Sequence, residues 1–555
     1  MESLKKLFPF FLIIILSFFA IRPLLLNGFF PMHDDTQPSR VFEMASALKD
    51  GMVPVRWSAD LGFGYGYPIF NFYAPFAYYT GAVINLLGLN PLDATKAMMI
   101  IGIILAGISM YLLAKEFFGR PAGLVAGLLY LYAPYHAVNI YVRGDVAEFY
   151  AYGFVPLVFL GLYKIYKENL YKHVFLVALF FALVIISHNL TAFIITPFYL
   201  LFSIFLFIKN KNRANLFIAL GLGVLLSSFY SLPAILEMNY TNVVSQVGGG
   251  ANFRDHFVCL SQFWTSQWGF GGSAKGCIDG ISFMIGKYHI LASVLSILAT
   301  LFLLLKRNFK VLEKDTIQIV TLFLSFLLLS VFLMLSASQF IWDSLPAMEY
   351  IQYPWRFLLI ASFSVSFLSG GLFLLLKQYI NPRIYMIVIF SACIAVVFLN
   401  FKFFSPQTIL AKDSSDYVSK NALNWDISKI TSEYMPKKFM KPKNISQIAN
   451  LKSVENNNIR LESYSKKTNR IELNLRTVQK TNVVVPLAYF PAWRAYLNGR
   501  EVSTKEATKG TSVQLVPGKN NLVFAYKETK TETIGNILSI SGIVLLALGI
   551  IKRPR

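Results

Sequence analysis

Charge is scarce in this sequence: Asp, Glu, Lys and Arg make up only 14% of its 555 residues. A soluble domain usually carries about 25% charged residues, so the composition excludes an ordinary cytosolic enzyme. Hydrophobic residues reach 55%, and the 50 Phe and 29 Tyr exclude an intrinsically disordered chain. The sequence also contains no P-loop and no dinucleotide-binding glycine pattern, which argues against a nucleotide-driven pump. What remains is a membrane protein with many spans.

Twelve apolar stretches are long enough to predict a polytopic α-helical membrane protein with about 12 transmembrane helices. Short basic segments, from Lys5 and Lys6 to Arg555, all fall on one side of the membrane when every stretch spans it. This predicts a multi-pass cell-membrane protein with both termini in the cytoplasm. A cleaved signal peptide is the alternative for the first stretch, although no typical cleavage site follows it. The stretches are 7–26, 94–115, 120–140, 147–167, 171–188, 190–208, 214–234, 288–305, 316–336, 355–376, 383–403 and 533–551.

The same topology divides the chain into a membrane domain at 1–403, an outer domain at 404–531 and a final span with its cytoplasmic tail at 532–555. The membrane domain carries two large outer loops, 27–93 and 237–286, and a short one at 337–354. Alternating strand-like runs and the Asn498-Gly499 turn predict a β-sandwich in the outer domain. Its excess of Lys and Arg suits solubility near anionic lipid headgroups, which we favour, or contact with a phosphate-bearing lipid or glycan. The net charge of +22 is explained by topology, so we expect membrane lipids and no nucleic acid as partners.

Cysteine is nearly absent, with three residues in the whole chain. Cys393 falls within a predicted span and is expected to pack in its core. Cys259 and Cys277 share one outer loop, where an oxidising compartment favours a disulfide that closes the glycine-rich segment 269–276. Two free thiols are the alternative. The sequence shows no cluster of Cys and His with the spacing of a metal site.

The first outer loop supplies the first candidate site. His33, Asp34 and Asp35 directly follow the first span and precede an amphipathic helix that is predicted to end at Gly51. The two carboxylates are catalytic candidates, although Asp35 could simply cap the helix. The aromatic stretch 62–79 is predicted to lie in the membrane interface, and its Tyr65 and Tyr67 are candidate substrate contacts.

Three further polar sets lie at outer helix ends. Each has a structural alternative. The set around Arg143 could be a local arginine–carboxylate pair, His188 could be a satisfied structural histidine, and the set around Arg356 could be an interfacial Trp/Arg anchor. A proton-coupled transporter would place such groups near mid-span, whereas the predicted spans are nearly free of Asp and Glu. Polar groups at the outer interface suit chemistry on the headgroup of a lipid-borne substrate. The sets are Arg143, Asp145 and Glu148; His188 and Asn189; and Tyr353, Trp355 and Arg356.

Several motifs resemble the membrane proteins described as 6-pyruvoyl-tetrahydropterin synthase-related. They are MHDD after the first span, GYGYPIFNFYAPFAYY, YVRGDVAEFYAYGFVPL, SHN, YPWRF and YFPAWRAYLNGREV. The resemblance extends over residues 30–530, approximately. Nothing in it is similar to the zinc-binding histidines of the soluble pterin synthase, so no pterin chemistry is expected.

The architecture is also similar to that of the C-type (GT-C) membrane glycosyltransferases, which take sugars from polyprenyl-phosphate carriers. This resemblance implies that Asp34 or Asp35 is the catalytic base or orients the acceptor. Asp145 or Glu148 would be a second acid, and a divalent cation, Mg or Mn, could bind with Asp34 and Asp145 as ligands. Arg356 and Arg143 would neutralise the donor phosphate, and His188 would hydrogen-bond it. The His-Asp-Asp sequence replaces the Asp-Glu pair of some relatives, which leaves open which carboxylate acts.

The resemblance implies transfer of a sugar from a polyprenyl-phosphate donor to a glycan, lipid or protein acceptor on the outer membrane face. Two other functions remain open. The chain could bind or flip a lipid-linked glycan as a transporter, without chemistry. It could also be a non-catalytic scaffold of envelope-glycan assembly, with the β-domain as a docking surface.

Overall fold

The computed structural model describes residues 2–243, 251–305 and 314–551. Within these ranges a helical bundle is followed by a sheet region and a last helix. The α-helices are α1 (Glu2–Leu16), α2 (Phe18–Ile21), α3 (Gln37–Lys49), α4 (Ile69–Phe72), α5 (Phe76–Leu86), α6 (Pro91–Phe118), α7 (Arg120–Leu131), α8 (Pro134–Val138), α9 (Val146–Glu168), α10 (Tyr171–Ser187), α11 (Asn189–Lys209), α12 (Asn215–Leu236), α13 (Lys287–Leu305), α14 (Lys314–Met334), α15 (Gln339–Ser344), α16 (Leu358–Tyr379), α17 (Pro382–Asn400), α18 (Ser415–Val418), α19 (Ser428–Ile430) and α20 (Lys530–Ile551).

Nine helices of the described residues are long and apolar enough to cross a membrane. Each corresponds to one of the twelve predicted stretches. Two further stretches match the shorter apolar helices Tyr171–Ser187 and Lys287–Leu301. The multi-helix membrane architecture is therefore present, whereas the count of twelve stays a prediction. The basic segments at 306–310 and 552–555, and the side chains of Lys5 and Lys6, lie outside the described residues.

The predicted span 120–140 is interrupted. Helix α7 ends at Leu131, and Ala133 is extended because the residue before a proline avoids the helical conformation. Helix α8 begins at Pro134 and continues into one turn of π-helix, Asn139–Arg143. Gly144 ends this turn with φ +66°, and a Cβ there would lie 2.0 Å from the sulfur of Met32. Glycine is thus required at position 144, because it lets the side chain of Met32 in the first loop approach the end of the π-helix.

The C-terminal region contains two antiparallel sheets, with strand orders β1-β2-β8-β4-β5 and β3-β7-β6. Between β4 and β5, Asn498 and Gly499 both have positive φ, as a two-residue hairpin of this kind requires. This confirms the predicted hairpin, while the packing of the sheets as a sandwich stays a prediction. The strands are β1 (Ile459–Lys467), β2 (Arg470–Thr477), β3 (Thr481–Val485), β4 (Trp493–Leu497), β5 (Arg500–Val502), β6 (Lys505–Ala507), β7 (Gly510–Leu515) and β8 (Gly518–Tyr526).

Helix α3 joins the sheet region to the membrane bundle. At its C-terminal end the carboxylate of Asp50 accepts a hydrogen bond from the backbone N–H of Thr468, at 2.6 Å. Nearby, Lys466 of β1 forms an ion pair with Asp60 of the first loop, at 3.1 Å. The same helix begins beside the polar residues that form the candidate site, so it holds the sheet region at a fixed place relative to that site.

The aromatic stretch 62–79 is packed against protein rather than free to lie in the membrane interface. The Tyr67 side chain is fully buried, and its hydroxyl lies 3.3 Å from Thr431 Oγ1 and accepts a hydrogen bond from the backbone of Tyr434. The Tyr65 hydroxyl donates to the carbonyl of Gln447. The segment 431–447 supplies polar partners for these hydroxyl groups together with apolar contacts. The sequence pattern did not predict that residues 431–447 cover the aromatic stretch.

Candidate functional site

The four predicted polar sets meet at one cavity of about 710 Å³. Its walls come from the first loop, the end of the π-helix, the α10–α11 junction and the turn Pro354–Phe357. Residues 430–434, which begin at the last residue of α19, complete the wall. The predicted residues that line the cavity are His33, Asp34, Arg143, Asp145, His188, Asn189, Tyr353, Trp355 and Arg356.

Backbone hydrogen bonds fix Asp34 beside the π-helix. The backbone N–H of Asp34 donates to the carbonyl of Arg143 at 3.0 Å, and that of His33 donates to the carbonyl of Val142 at 3.0 Å. The side chain of Gln37 donates to the carbonyls of both Asp34 and Gly144. Two segments that are more than 100 residues apart in sequence are thereby held together at the cavity.

The carboxylate of Asp34 has no hydrogen-bond or ion-pair partner among the described residues, although it lines the cavity. It is half-buried, and burial together with the negative charge of Asp145 raises its pKa. The positive charges of Arg40 and Arg143 oppose this shift without cancelling it. A free carboxylate with a raised pKa is suited to accept a proton from a bound hydroxyl group.

The guanidinium of Arg143 bridges two buried carboxylates. One terminal nitrogen donates to Asp145 and the other to Glu148, each at 2.7 Å. Glu148 also accepts hydrogen bonds from Tyr135 and Asn139. Burial alone would raise the pKa of Asp145, but the adjacent Arg143 lowers it to about 2. Asp145 is therefore an ionised partner of Arg143. Glu148 lies behind the cavity wall and is not part of the lining.

An aromatic pair connects the two arginines of the cavity. The guanidinium of Arg143 lies 4.8 Å from the ring centre of Trp355, and that of Arg356 lies 5.1 Å from the ring centre of Tyr353. The Tyr353 and Trp355 rings are stacked on each other at 5.1 Å. The Nε of Arg356 is buried without a hydrogen-bond partner among the described residues. This stack holds two positive charges in one wall, one of which retains an unused donor.

His188 occupies the junction of α10 and α11. Its Nδ1 accepts a hydrogen bond from the backbone N–H of Thr191 and lies 2.8 Å from the Thr191 hydroxyl. Burial lowers its pKa, so the ring is neutral near pH 7. With Nδ1 used as an acceptor, the proton of the neutral ring lies on Nε2, which is then a hydrogen-bond donor. Asn189 follows it and is exposed at the cavity.

The two aspartates of the first loop differ in their surroundings. Asp35 is outside the cavity lining, and its carboxylate binds the ammonium of Lys412 at 3.0 Å and the hydroxyl of Tyr417 at 2.9 Å. It does not cap α3, whose N-cap residue is Thr36. Tyr65 and Tyr67 are likewise outside the lining. The structure thus places Asp34, and not Asp35, where a substrate in the cavity would meet it.

Several lining residues were not singled out from the sequence. Arg40 has an indirect signal, because Thr36, Arg40 and Glu43 recur at helical spacing on the buried side of α3. Glu433 and its neighbours have none, since only the tertiary packing of residues 430–434 brings them to the cavity. The lining residues missed include Thr36, Arg40, Phe72, His256, Ser273, Thr431, Glu433 and Tyr434.

The glycine-rich loop reaches the cavity under the constraint of a disulfide. Cys259 and Cys277 are bonded, with their Cα atoms 5.5 Å apart. Within the loop, the Ser273 hydroxyl lies 2.7 Å from His256 Nδ1 and accepts a hydrogen bond from Trp355 Nε1 at 3.0 Å. The pairing of these cysteines therefore holds Ser273 against the aromatic stack. Cys393, the third cysteine, is buried in α17.

A divalent cation fits these residues poorly. Asp145, Glu148 and His188 bring one ligand atom each within 4.8 Å of one another. Both carboxylates, however, already accept hydrogen bonds from Arg143, whose fixed positive charge lies between them. Asp34 has a free carboxylate, but both oxygens of Asp145 are used by Arg143 and by the backbone of Glu148. A guanidinium takes the place that a metal ion would need, and no step below is assigned to a metal.

The fold and the site define a helical membrane protein with a polar cavity formed by the ends of its helices. The chain belongs to the membrane-protein family described as 6-pyruvoyl-tetrahydropterin synthase related domain, whose family model matches residues 70–404. This confirms the family expected from the sequence motifs. An uncharacterized protein of Lactococcus lactis subsp. cremoris (strain MG1363) is 29% identical over 250 residues. That alignment covers 42% of this chain and only 41% of the relative.

Solved structures with some likeness to this chain include two glycosyl-transferring membrane enzymes. The oligosaccharyltransferase of Archaeoglobus fulgidus in its apo form has a TM-score of 0.46 at 12% identity, covering 80% of this chain and 61% of that one. The arabinofuranosyltransferase AftD from Mycobacteria has a TM-score of 0.42 at 12% identity, covering 73% of this chain and 27% of that one. Both TM-scores are below 0.5.

Proposed function

We propose that this protein is a membrane glycosyltransferase that moves a sugar from a polyprenyl-phosphate-linked donor to an acceptor hydroxyl on the outer face of the membrane. One observation carries the proposal. The free carboxylate of Asp34 lines the same cavity as Arg143 and Arg356, whose guanidinium groups each lie over an aromatic ring. An incoming hydroxyl needs a carboxylate that accepts its proton, and a departing phosphate needs the positive charge of the arginines. The resemblance in architecture to C-type enzymes, expected from the sequence, supports the same reaction class.

In the proposed reaction, Asp34 accepts the proton of the acceptor hydroxyl. The acceptor oxygen forms a bond to the anomeric carbon while the bond from that carbon to the phosphate oxygen breaks. The electron pair leaves with the polyprenyl phosphate, whose negative charge is stabilised by Arg356 and by Arg143. His188 can donate a hydrogen bond to the same phosphate. In this proposal the polyprenyl chain remains among the apolar helices, and the predicted cytoplasmic location of the basic segments supports an outer location for the cavity.

The test compares two neighbouring aspartates in one assay. Membranes containing wild type, Asp34→Asn or Asp35→Asn at matched expression are supplied with radiolabelled polyprenyl-phosphate sugars. We expect transfer by the wild type and Asp35→Asn, and a loss of about 10²-fold or more in Asp34→Asn, as for removal of a general base. Equal transfer by all three would remove Asp34 from the mechanism and favour a transporter or scaffold. Normal envelope glycans and glycolipids in a deletion strain would also count against the proposal.

A further inference from the structure

The cavity lining contains a second group of polar residues besides the arginine stack. It is formed by Thr36 and Arg40 of the first loop and α3, and by Thr431 and Glu433 of the segment after α19. Arg40 donates to the Thr431 hydroxyl at 3.1 Å, and that hydroxyl lies 3.2 Å from a carboxylate oxygen of Glu433. We call these four residues the Arg40–Glu433 group. Sequence motifs gave no sign of it, and the reaction proposed above does not use it.

Two members of this group have unused hydrogen-bonding capacity. Arg40 is 3% exposed and Thr36 is 1% exposed, yet the Arg40 Nε and the Thr36 hydroxyl have no partner among the described residues. Buried polar atoms are normally paired, because leaving them without water or a partner costs free energy. Both residues line the cavity, but these two atoms are themselves covered by protein, so a ligand would pair with them only after a side-chain adjustment.

The two regions of the cavity differ in the charge they offer. At the arginine stack, Asp145 and Glu148 are both paired with Arg143, and Arg356 has no carboxylate partner among the described residues. These four groups carry no net formal charge, but the guanidinium of Arg356 is left without a carboxylate partner and so suits phosphate. In the Arg40–Glu433 group the carboxylate of Glu433 offsets the charge of Arg40, and a phosphate would meet that carboxylate directly.

Adjacent donors and acceptors are what a polyol requires. Each sugar hydroxyl both donates and accepts a hydrogen bond, so neighbouring hydroxyls fit an arginine N–H beside a carboxylate oxygen. The stacked rings of Phe72 and Tyr434, 5.4 Å apart, form part of the lining next to the group and offer apolar surface to the C–H face of a sugar ring. Arg40 is held in place from its other side by the ring of Tyr73, at 4.4 Å.

We infer that the Arg40–Glu433 group is the subsite for the sugar of the donor, and that Glu433 selects for a neutral polyol over a phosphate. The inference rests on the proposed function for its orientation: phosphate at Arg143 and Arg356, sugar at Arg40 and Glu433. Asp34 lines the same cavity and interacts electrostatically with Arg143 and Asp145 and also with Arg40 and Glu433. It therefore lies near both subsites, as the base of the proposed reaction should.

The experiment separates the two subsites by binding, without any transfer. Purified full-length protein is titrated calorimetrically with a panel of methyl glycosides of hexoses, N-acetylhexosamines and pentoses, and separately with farnesyl phosphate. The variants are Glu433→Gln and, as a control, Asp426→Asn, whose exposed carboxylate forms an ion pair with Lys429, accepts a hydrogen bond from Asn421 and is outside the cavity lining. We expect Glu433→Gln to weaken the best glycoside at least tenfold and to leave farnesyl phosphate within twofold. Asp426→Asn should change neither.

Three results would overturn the inference: no glycoside in the panel binds the wild type, Glu433→Gln leaves glycoside binding unchanged, or it weakens both ligands equally. A folding defect is recognised separately, by a melting temperature of Glu433→Gln below that of the wild type. Glu433→Asp, which keeps the carboxylate, should then recover part of the glycoside binding, and its failure to do so would also overturn the inference. Transfer activity is measured in parallel. If the wild type transfers no sugar although glycosides and farnesyl phosphate bind as expected, the proposed reaction is contradicted and the sugar subsite is not.

Discussion

The guanidinium of Arg143 lies over the indole ring of Trp355, with 4.8 Å between the guanidinium carbon and the ring centre. This contact joins the second and fourth polar sets, which are separated by more than 200 residues of chain. It fixes the plane of a guanidinium that also binds Asp145 and Glu148. The position of the positive charge in the cavity therefore depends on an aromatic residue as well as on two carboxylates.

We expect Trp355→Leu to lower the rate of transfer about tenfold, because a cation–π contact in a desolvated site contributes up to about 2 kcal/mol. Trp355→Phe should retain most of the rate, since it keeps an aromatic face and loses only the hydrogen bond to Ser273. The measurement is kcat/KM for the sugar donor. Trp264→Leu, at an exposed tryptophan outside the cavity lining, is the control. A rate for Trp355→Phe as low as that for Trp355→Leu would assign the effect to the hydrogen bond instead.

The pH dependence of transfer should report Asp34. Burial and the charge of Asp145 raise the Asp34 pKa, so the base is protonated, and transfer lost, at a higher pH than for an ordinary aspartate. In Asp145→Asn one negative charge is gone and Arg143 is partly freed, and both changes lower the Asp34 pKa. We therefore expect the acid limb of the pH–rate profile to move to lower pH in this variant. An unchanged acid limb, with a reduced plateau, would show that another group titrates there.

Much of the site could be predicted from the sequence because ionisable residues are rare in it. Asp34, Arg143, His188 and Arg356 stand out at predicted helix ends, and the membrane topology alone brings those ends to one side. Which residue of a set faces the cavity could not be predicted. Asp35 differs from Asp34 only in meeting Lys412 and Tyr417, from a segment almost 400 positions away.

The parts of the fold that were not predicted have identifiable causes. Hydropathy counts apolar residues, so it reads 120–140 as one span and does not register the break before Pro134. Aromatic composition alone suggested a membrane-interface location for 62–79. The cover of this stretch by residues 431–447 is a long-range contact with no local signature. Glu433 was missed for the same reason, since its role depends entirely on where that segment packs.

Removal of Arg143 should expose a latent metal site. In Arg143→Ala the buried carboxylates of Asp145 and Glu148 lose their cation, and we expect a loss of stability of about 3–5 kcal/mol. With the guanidinium gone, these carboxylates and His188 have the separation and chemistry to bind Mn²⁺. Mn²⁺ should therefore raise the melting temperature of Arg143→Ala and leave that of the wild type unchanged. The double variant with Glu148→Gln should lose the rescue. Equal stabilisation of the wild type by Mn²⁺ would mean that metal and arginine bind together.

Stability should also depend on pH through Glu43, on the buried face of α3. Burial and the neighbouring Asp60 raise its pKa from 4.5 to about 7, while the Ser58 hydroxyl, which donates to Glu43 at 2.6 Å, opposes the shift. A raised pKa means that the folded state favours the protonated acid. The stabilising contribution is therefore full below pH 4.5 and is lost as the pH rises through 7. The loss amounts to about 3 kcal/mol at about 1.4 kcal/mol per pKa unit.

Glu43→Gln tests this dependence, because the amide is neutral at every pH and keeps an oxygen that can accept from Ser58. Thermal unfolding of the purified protein is measured between pH 5 and pH 8, approximately. We expect the wild type to lose stability relative to Glu43→Gln as the pH rises, with the change centred between 4.5 and 7. Glu462→Gln, at an exposed glutamate of β1, should follow the wild type. Parallel curves for wild type and Glu43→Gln would contradict a proton on Glu43. Such curves would mean that Lys466, which forms an ion pair with Asp60, keeps both Glu43 and Asp60 ionised in the folded protein.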